Sequence, residues 1–547
     1  MILCSQPYES GDYMNTNSSP YHLEIQNHRK SPYGVLRTTY REDGKIKHRT
    51  IATLPGLNLN QLRTMQAALQ NKAVPKDEFK ILSSREYGAS FACVSILKEL
   101  GLHKTIHSKP EQEWVKSACA MIVGRLVYAG SKLSLSNCGA YSYLWEVCGI
   151  NGEIDVNTHC YEVMDNLLAR QNAIQKALAK KHLYNGTLVL YDITSCYMEG
   201  EYENSDLVEF GYNRDKKRGH EQIVISLLCS KDGCPIAIEV LKGNTKDETT
   251  VLDKINEIHS KYSLEKIIFV GDRGMVTESK YEEINHNLVK VISALSHVGI
   301  QKLLEKDAIQ MSLFDENNIV EVIDNNLRYM LCKNPVMEIK EANTRKRLLK
   351  KTIEELDKIM KSTRKTKNPK GVRAGKVVNK YMVGKFVIFE GDDKNLSYRL
   401  DQAKIEEESQ LDGCYIVFTD APKEEMSTID AVKTYKSLIQ VEQAFRNLKT
   451  AALEVRPIFH KTDDRIKCHV FICMLAYYVM WHMRQRLQPL CETDGVGEDR
   501  KYTFEFIMKS LEAIRLESVD FMGVQTHIVS TPNEEQAQIL NLLRVAV

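Results

Sequence analysis

Three neighbouring stretches decide the fold of this chain: TLVLYDITS (187–195), EQIVISLLCS (221–230) and CPIAIEVLKG (234–243). All three are rich in apolar and β-branched residues, a composition that favours strands over helices. Asp232-Gly233 separates the second stretch from the third, and this dipeptide is a strong signal for a tight turn between antiparallel strands. The three stretches therefore predict an antiparallel β-meander.

The residues beyond the meander alternate between helical and strand patterns. In order they are a helix, a strand, a second helix and another strand: TTVLDKINEIHSKY (249–262), KIIFVGD (266–272), residues 278–286 and VKVISAL (289–295). A meander followed by this alternation is typical of an α+β fold, in which helices pack on one central mixed sheet.

Similar patterns divide the remaining chain. Two alternating runs around Asp43-Gly44 predict a hairpin near the N-terminus, and helical spacing dominates residues 58–180 and 427–487. We expect six segments: a small β-rich N-terminal element (1–57), a helical region (58–185), the first part of the α+β core (186–295), an insertion with a basic helix and strands (296–425), the second part of the core (426–490) and a C-terminal helical region (491–547).

Composition narrows the class of protein. The 547 residues are 43% hydrophobic and 27% charged, as in ordinary globular proteins. Fourteen cysteines without a Cys-x-x-Cys pair indicate a reducing compartment and no zinc site. The N-terminus has no secretory signal and the longest apolar run, near 470–481, is too short to span a bilayer, so we expect a cytoplasmic protein with no membrane association. The absence of a G-x4-G-K-[ST] motif argues against a P-loop nucleotide-dependent enzyme.

The net charge hides a polarised distribution. The chain has 74 Lys and Arg against 72 Asp and Glu, a formal charge of +2. Residues 340–380 alone contain 15 Lys and Arg against 4 acids. Two interpretations stay open for this segment: a solvated helix face with a linker, or an arm that contacts nucleic-acid phosphates.

Two acids close apolar strands. Asp192 follows TLVLY directly, and Asp272 ends KIIFVGD. An ionised acid in a buried strand needs a partner or a metal, because uncompensated burial of charge is costly. Two strand-terminal acids of one sheet can converge, and hard divalent cations such as Mg²⁺ prefer oxygen ligands. Each acid alone is equally compatible with a turn or a helix cap.

A third acid, Glu442, lies within the helical pattern TYKSLIQVEQAFRNLK (434–449). Tyr435, Glu442 and Lys449 are seven residues apart, which is two helical turns, so we expect them to form one stripe beside the apolar face. A solvated helix with ordinary polar residues would show the same spacing.

Together, LYDITS, GDRG and the Y-x6-E-x6-K spacing resemble the DDE transposases of bacterial insertion sequences, in the branch with a Tyr/Arg/Glu/Lys signature. The resemblance extends to Arg456-Pro457-x-x-His460 after the predicted Glu442 helix. It implies an RNase H-like catalytic core with a first Asp on the first strand, a second Asp after the fourth strand, an insertion, and a Glu on a later helix. The signature of the family has Arg at the position of Leu438.

The resemblance also implies roles for individual residues. Asp192, Asp272 and Glu442 would be the catalytic acids and the ligands of two Mg²⁺ ions, with Asp192 bridging them, and Mn²⁺ would fit equally. The DNA-binding candidates are Tyr435, Lys449, Lys436, Arg446 and Arg273 near the acids, and Arg345, Lys346, Arg347, Lys350 and Lys351 in the basic helix. The implied partners are double-stranded DNA, as element ends and as target, and a second copy of the chain in a homodimer. The helical region 58–185 would recognise the ends.

The expected function is a transposase that binds the terminal inverted repeats of its element and performs metal-dependent strand cleavage and strand transfer. Two alternatives stay open. One is an RNase H-like DNA nuclease that cleaves without joining, and the other is a DNA-binding regulator of the element with a decayed catalytic centre. A nuclease would not join the free 3′-hydroxyl to a second DNA, whereas the transposase would. A regulator with a decayed centre would not bind metal, whereas both enzymes would.

Overall fold

The computed structural model describes residues 21–547 except 27–31, 71–78, 215, 216, 218, 263, 265, 274, 277–280, 282, 285–288, 316, 363–368, 393, 394, 450–452, 493–501, 522 and 523. The chain forms two compact units, and each is described by itself. The terminal unit comprises Met1–Ser95, Asn137–Asn151 and Leu490–Val547, and the core unit comprises Ile96–Ser136 and Gly152–Pro489.

Strands and helices alternate along the described residues. The strands are β1 (Tyr21–Gln26), β2 (Tyr33–Glu42), β3 (Lys45–Leu54), β4 (Phe79–Glu86), β5 (Thr187–Tyr197), β6 (Gln222–Ser230), β7 (Pro235–Leu241), β8 (Ile267–Gly271), β9 (Val289–Ala294), β10 (Val320–Asp324), β11 (Leu327–Lys333), β12 (Val387–Glu390), β13 (Ser397–Leu400), β14 (Cys414–Thr419), β15 (Arg515–Phe521) and β16 (Val524–Val529). The α-helices are α1 (Leu59–Leu69), α2 (Gly88–Glu99), α3 (Leu102–Ile106), α4 (Glu113–Val127), α5 (Lys132–Ser136), α6 (Leu144–Val147), α7 (Glu162–Ala169), α8 (Gln171–His182), α9 (Asp247–Tyr262), α10 (His297–Glu305), α11 (Pro335–Lys361), α12 (Lys370–Tyr381), α13 (Gln402–Gln410), α14 (Thr428–Lys436), α15 (Ile439–Lys449), α16 (Asp463–Glu492), α17 (Phe504–Glu512) and α18 (Glu534–Leu543).

The N-terminal part of the terminal unit is an antiparallel sheet, β1-β2-β3, with α1 packed against β1 and β2. The predicted hairpin is confirmed: Asp43 and Gly44 connect β2 to β3 with positive φ angles of 51° and 74°, the geometry of a tight hairpin turn. Asn58 and Gln61 form a capping box, which fixes the residue at which α1 begins.

The C-terminal segment contains strands that the sequence did not predict. β15 pairs with β16 and also with β4, which lies near the other end of the chain. The helical character expected of residues 491–547 holds for α17 and α18, and the strands between them were not predicted. The helical periods of α17 and α18 dominate the local pattern, whereas β15 depends on a partner that is distant in sequence.

The core unit is built on an eight-stranded mixed sheet in the order β10-β11-β14-β9-β8-β5-β6-β7. The predicted meander is confirmed, because β5, β6 and β7 are antiparallel neighbours. β8 and β9 continue the sheet in parallel with β5. Every residue of β6 is buried, which explains its nearly continuous apolar sequence. This mixed sheet with flanking helices agrees with the α+β, RNase H-like architecture expected from the sequence.

Two helices, α14 and α15, cover the part of the sheet that carries the predicted acids, and a third, α16, is a buried core helix. α15 packs on β5 and β6, and α14 packs on β8, β9 and β14. α16 is longer than the apolar run in its sequence, and by length and composition Asp463–Cys491 could cross a membrane. Its most apolar window is 83% buried inside the protein, as expected for a core helix.

The predicted insertion, residues 296–425, does not form one separate body. β11 pairs with β14, and β14 pairs with β9, so β10, β11 and β14 extend the core sheet. The residues between β11 and β14 form a lobe with its own hydrophobic core, which includes Leu356, Ala374 and Phe386. The strands were recognisable in the sequence, but their partners were not. The helix predicted at 278–286 lies largely outside the described residues.

Candidate active site

Two carboxylates lie side by side where β8 ends next to the middle of β5. β5 and β8 are parallel neighbours, and their register pairs Tyr191 with Gly271. Asp192 and Asp272 each follow directly, so the register places them side by side. The predicted convergence of the two acids is therefore a consequence of strand pairing.

The three predicted acids form one electrostatic group. Asp192 is half-buried, whereas Asp272 and Glu442 are exposed. Burial, followed by the negative charges of Asp272 and Glu442, raises the pKa of Asp192 to about 7. Two groups oppose this rise: the Ile193 N–H, which donates to the Asp192 carboxylate at 2.7 Å, and the positive charge of Arg214. Asp192 therefore keeps its proton up to near-neutral pH unless another cation approaches.

The single helix predicted to carry Tyr435, Glu442 and Lys449 is interrupted. Ser437 and Leu438 lie between α14 and α15. The Ser437 hydroxyl donates to a carbonyl of α14 at 2.6 Å, a local bond that competes with helix propagation. Leu438 is only 7% exposed and packs in the core. The expectation of one continuous stripe is therefore wrong.

Tyr435 and Lys449 nevertheless both reach the neighbourhood of the acids. The Tyr435 hydroxyl donates to the Asp272 carboxylate at 3.3 Å. Burial, followed by the charge of Asp272, raises the pKa of Tyr435, so its hydroxyl stays a donor. The Lys449 ammonium donates to the hydroxyl of Thr194 at 2.8 Å, two residues beyond Asp192 on β5.

The other DNA-binding candidates near the acids have exposed side chains: Lys436, Arg446 and Arg273. The Lys436 ammonium lies 5.9 Å from the centroid of the Tyr415 ring. The positive charge of Arg273 acts on Tyr435 and opposes the rise of its pKa. These residues are accessible to a ligand, and their contact with DNA stays a prediction.

Most of the predicted basic residues of α11 lie on its exposed face. This face is opposite the residues that pack in the lobe, and it carries Lys346, Arg347, Lys350 and Lys351. The helix can therefore present four positive charges to a phosphate backbone without disturbing its own packing.

Arg345 does not belong to this exposed face. Its guanidinium forms a two-pronged ion pair with Asp412, with one N···O distance of 2.8 Å. The two side chains are 13% and 6% exposed. We therefore withdraw Arg345 as a DNA-binding candidate, because its donors are used inside the protein.

Two arginines near the acids were not among the predicted site residues. The Arg214 N–H donates to the Ser195 hydroxyl at 2.8 Å, and its charge acts on Asp192. The Arg456 guanidinium lies 4.3 Å from the centroid of the Tyr197 ring, a cation–π contact. Both arginines lie in loops, which have no periodic pattern, so their approach to β5 could not be predicted locally.

The donor set of the site fits a hard divalent cation. Three carboxylates offer oxygen ligands, and a cation would relieve the repulsion that raises the pKa of Asp192. Among the described His, Cys, Asp and Glu side chains, the group of three with ligand atoms within 4.8 Å of one another is a different one: His182, Cys234 and His482.

The His182, Cys234 and His482 group was not predicted because its members come from three separate elements. Nε2 of His182 lies within hydrogen-bond distance of the Tyr478 hydroxyl, at 3.0 Å, and 4.0 Å from the Cys234 sulfur. Burial lowers the pKa of His182 and lowers that of His482 to about 4, so both rings are neutral at pH 7. The group is thus a set of neutral side chains within the core unit.

Replacing Asp192 by Asn should reveal the electrostatic cost of its charge. In the folded protein the Asp192 carboxyl keeps its proton up to about pH 7, whereas an aspartate in an unfolded chain loses its proton at about pH 4. Between these values the folded state binds more protons, so its stability falls as pH rises. Without metal, Asp192→Asn should match the wild type below about pH 4 and exceed it above about pH 7, by at most about 4 kcal/mol. Denaturant unfolding in EDTA measures the difference.

Asp253→Asn is the matched control, because it removes an exposed carboxylate from α9. It should leave the pH profile unchanged. Mg²⁺ added at alkaline pH should stabilise the wild type and the control but not Asp192→Asn. If Asp192→Asn is less stable than the wild type at both low and high pH, the negative charge of Asp192 does not destabilise the folded protein.

The sequence model of the family described as Transposase DDE domain matches residues 186–479, a range that begins one residue before β5 and contains all three acids. Among solved structures, the chain is similar to a piggyBac transposase in the cryo-EM structure of its synaptic complex with hairpin DNA. The TM-score is 0.35 at 8% identity, and the similarity covers 78% of this chain and 80% of that one. No curated protein matches the chain. Because the family match spans more than half of its 547 residues, the chain belongs to the DDE transposase family.

Proposed function

We propose that this transposase binds the terminal inverted repeats of a bacterial insertion sequence, cuts the DNA at the ends and joins the freed 3′-hydroxyl groups to target DNA. One observation carries the proposal: Asp192 and Asp272 follow paired positions of parallel strands, and Glu442 is close enough to raise the pKa of Asp192. In-line displacement at phosphorus requires such a group of carboxylates when it depends on bound metal ions.

DDE transposases generally use divalent metals, and the residues of this site fit that chemistry. We assign Mg²⁺, with Mn²⁺ as an alternative, because the available ligands are oxygens. Asp192, Asp272 and Glu442 would hold the metal. When bound, the ions would stabilise charge on the attacking and leaving oxygens.

The chain's own residues prepare this site. The Tyr435 hydroxyl donates to Asp272 and so restricts the orientation of that carboxylate. The Lys449 ammonium is held beside β5 by Thr194 and carries a positive charge that suits a phosphate of the bound strand. We propose that Tyr435 and Lys449 position the end of the element.

The proposed partner is double-stranded DNA, both as element ends and as target. Two equivalent ends are most simply served by two copies of the chain related by two-fold symmetry, so we propose a homodimer that acts in the cytoplasm. The candidate DNA-binding surfaces are the helical region 58–185 and the exposed face of α11. Neutralised phosphates would supply the sequence-independent part of the affinity.

A cleavage-and-joining assay on DNA with the element's own ends tests the proposal. Asp192→Asn, Asp272→Asn and Glu442→Gln should each lower strand cleavage in Mg²⁺ by more than roughly a hundredfold, since removing a metal ligand costs more than removing an outer partner of that ligand. End binding in EDTA should persist, because none of the three acids attracts DNA. Asp253→Asn should cut and join like the wild type.

The assay also separates the competing functions. Metal-dependent cutting without joining would indicate a nuclease. Binding of ends by the wild type without metal-dependent cutting would indicate a regulator with an inactive centre. A Glu442→Gln variant that cuts normally would remove Glu442 from the site.

The exposed face of α11 provides a separate prediction. Replacing Lys346, Arg347, Lys350 and Lys351 by Gln should weaken DNA binding and flatten its salt dependence by about 0.9 in slope for each phosphate that is no longer neutralised. Folding should not change, because the four side chains are exposed. Binding titrations between about 50 and about 200 mM salt measure the slope.

Arg345→Gln is the matched control, because it removes a positive charge from the same helix but breaks a largely buried ion pair. It should cost about 3–5 kcal/mol of unfolding free energy, since Asp412 is left buried without a partner. The salt slope of the folded protein should not change. If the four-residue variant binds DNA as tightly as the wild type, this face of α11 is an ordinary solvated surface.

A further inference from the structure

Two cationic side chains of the core unit are buried without a carboxylate partner. Arg125 in α4 and Lys132 in α5 are 4% and 5% exposed. The Arg125 guanidinium donates to the carbonyls of Gly130, at 2.6 Å, and Glu454, and its Nε has no partner. The Lys132 ammonium lies 3.4 Å from Nδ1 of His469. Within the described residues, neither cation forms an ion pair.

Uncompensated burial of charge is costly, and elsewhere in the core unit it is avoided. The side chain of Lys254 is 7% exposed and pairs with Glu239, at 2.7 Å, and with Glu257. Arg328 is 6% exposed and pairs with Glu321 at 3.0 Å. Arg125 and Lys132 therefore differ from Lys254 and Arg328 in lacking an acid partner among the described residues.

Arg125 and Lys132 line the same pocket, which has a volume of about 340 Å³ and so falls within the usual range of ligand sites. Tyr161, Phe459 and His460 form an aromatic part of its wall. The rings of Tyr161 and His460 meet edge to face at 6.1 Å. The pocket is therefore a cavity with a cationic base and a partly aromatic rim.

The histidines at the pocket add no charge at neutral pH. Burial, followed by the positive charge of Lys132, lowers the pKa of His460 to about 4 and also lowers that of His469. The His469 Nε2–H donates to the Val455 carbonyl at 3.1 Å, which leaves Nδ1 to accept from Lys132. Burial and the charge of Arg125 lower the pKa of Lys132 to about 8, so most of the ammonium remains charged at pH 7.

The acids around the pocket do not neutralise it. Glu454 lines the pocket, but in the described structure its carboxylate pairs with neither cation. Its backbone has a φ of 41°, which is uncommon for a residue other than glycine, and this turns its carbonyl toward Arg125. Asp165 is occupied by Arg465 through two hydrogen bonds of 3.0 Å. The pocket therefore keeps positive charge that an anion can neutralise.

The pocket is continuous with the surroundings of the acids. Glu454 and Pro457 also line a neighbouring pocket, together with Lys449 and Arg456. Lys449 in turn contacts Thr194 on β5. Lys449 and Arg456 thus line a pocket that borders both β5 and the pocket of the two buried cations, and the exposed Glu199 also lines it.

We propose that the pocket of Arg125, Lys132 and His460 binds a backbone phosphate of the DNA strand that enters the active site. This inference rests on the proposed function, because it requires DNA at the acids. A phosphodiester would accept hydrogen bonds from the two cations, compensate their burial and fix the strand relative to Asp192. Arg125 and Lys132 are then positioning residues. A free phosphate has the same chemistry, so the test must separate the two sources.

Lys132→Met removes the charge and keeps a side chain of similar length. DNA affinity in EDTA should fall at least tenfold, and the salt slope should fall by about 0.9, the value for one neutralised phosphate. Inorganic phosphate should raise the Tm of the wild type, compared with chloride at equal ionic strength, but not that of the variant. The unliganded variant should be at least as stable as the wild type, because an unpaired buried charge is gone. Element-end DNA should abolish the additional effect of phosphate on the wild type.

Lys254→Met is the matched control, because it removes an equally buried lysine that has acid partners. It should lower stability and leave DNA affinity, salt slope and phosphate response unchanged. The inference is overturned if Lys132→Met behaves in the same way, because Lys132 would then be a structural residue.

Two further outcomes have distinct meanings. A phosphate response that end DNA does not displace would assign the pocket to free phosphate and overturn its assignment to the DNA strand. If the wild type does not bind end DNA, the proposed function itself is contradicted. In that case phosphate would still raise the Tm of the wild type and not that of Lys132→Met, although neither protein binds DNA. The wild-type comparison of phosphate with chloride, with and without DNA, decides between these outcomes even if Lys132→Met does not fold.

Discussion

The parallel pairing of β5 with β8 is the interaction on which the candidate site depends. It brings Asp192 and Asp272 side by side. A slip of one residue in either strand would turn its side chains to the opposite face. β5 is mostly buried and β6 entirely so, which means that such a slip would disrupt the side-chain packing on both faces of the sheet. The same burial that stabilises the core thus maintains the geometry of the acids.

Charge is unbalanced in two places in the core unit, and with opposite signs. At the candidate site, Asp192 on β5 is half-buried near two other acids, and its pKa is raised to about 7. In the neighbouring cavity, Arg125 and Lys132 are buried and form no ion pair with the acids in the described part of the chain. In our proposals a metal ion compensates the first imbalance and a DNA phosphate the second. The unpaired charges would then destabilise the unliganded protein, and their neutralisation would make binding of metal and DNA more favourable.

Much of the fold could be predicted because several elements carry their own local signal. The strands of the meander are apolar and β-branched, and Asp43-Gly44 has the residues that a tight turn needs. The features that the sequence did not predict are mostly set by residues distant in sequence. β15 needs β4 as its partner, and the strands of the predicted insertion find theirs in the core sheet. The break at Ser437 is the exception. There the apolar spacing predicts one continuous helix, but a local hydrogen bond of the Ser437 side chain accompanies its interruption.

Sequence alone determined which residue types were available for chemistry and on which elements most of them lie. It identified three acids, the basic helix and the family resemblance, because these are properties of residues and their spacing. Only the tertiary structure decided which charges have partners. Arg345 is paired with Asp412, whereas Arg125 and Lys132 pair with none of the acids that the structure describes, although nothing in their local sequence distinguishes them. The physical reason is that the free energy of a charge depends on burial and on neighbours, and both arise when distant segments pack together.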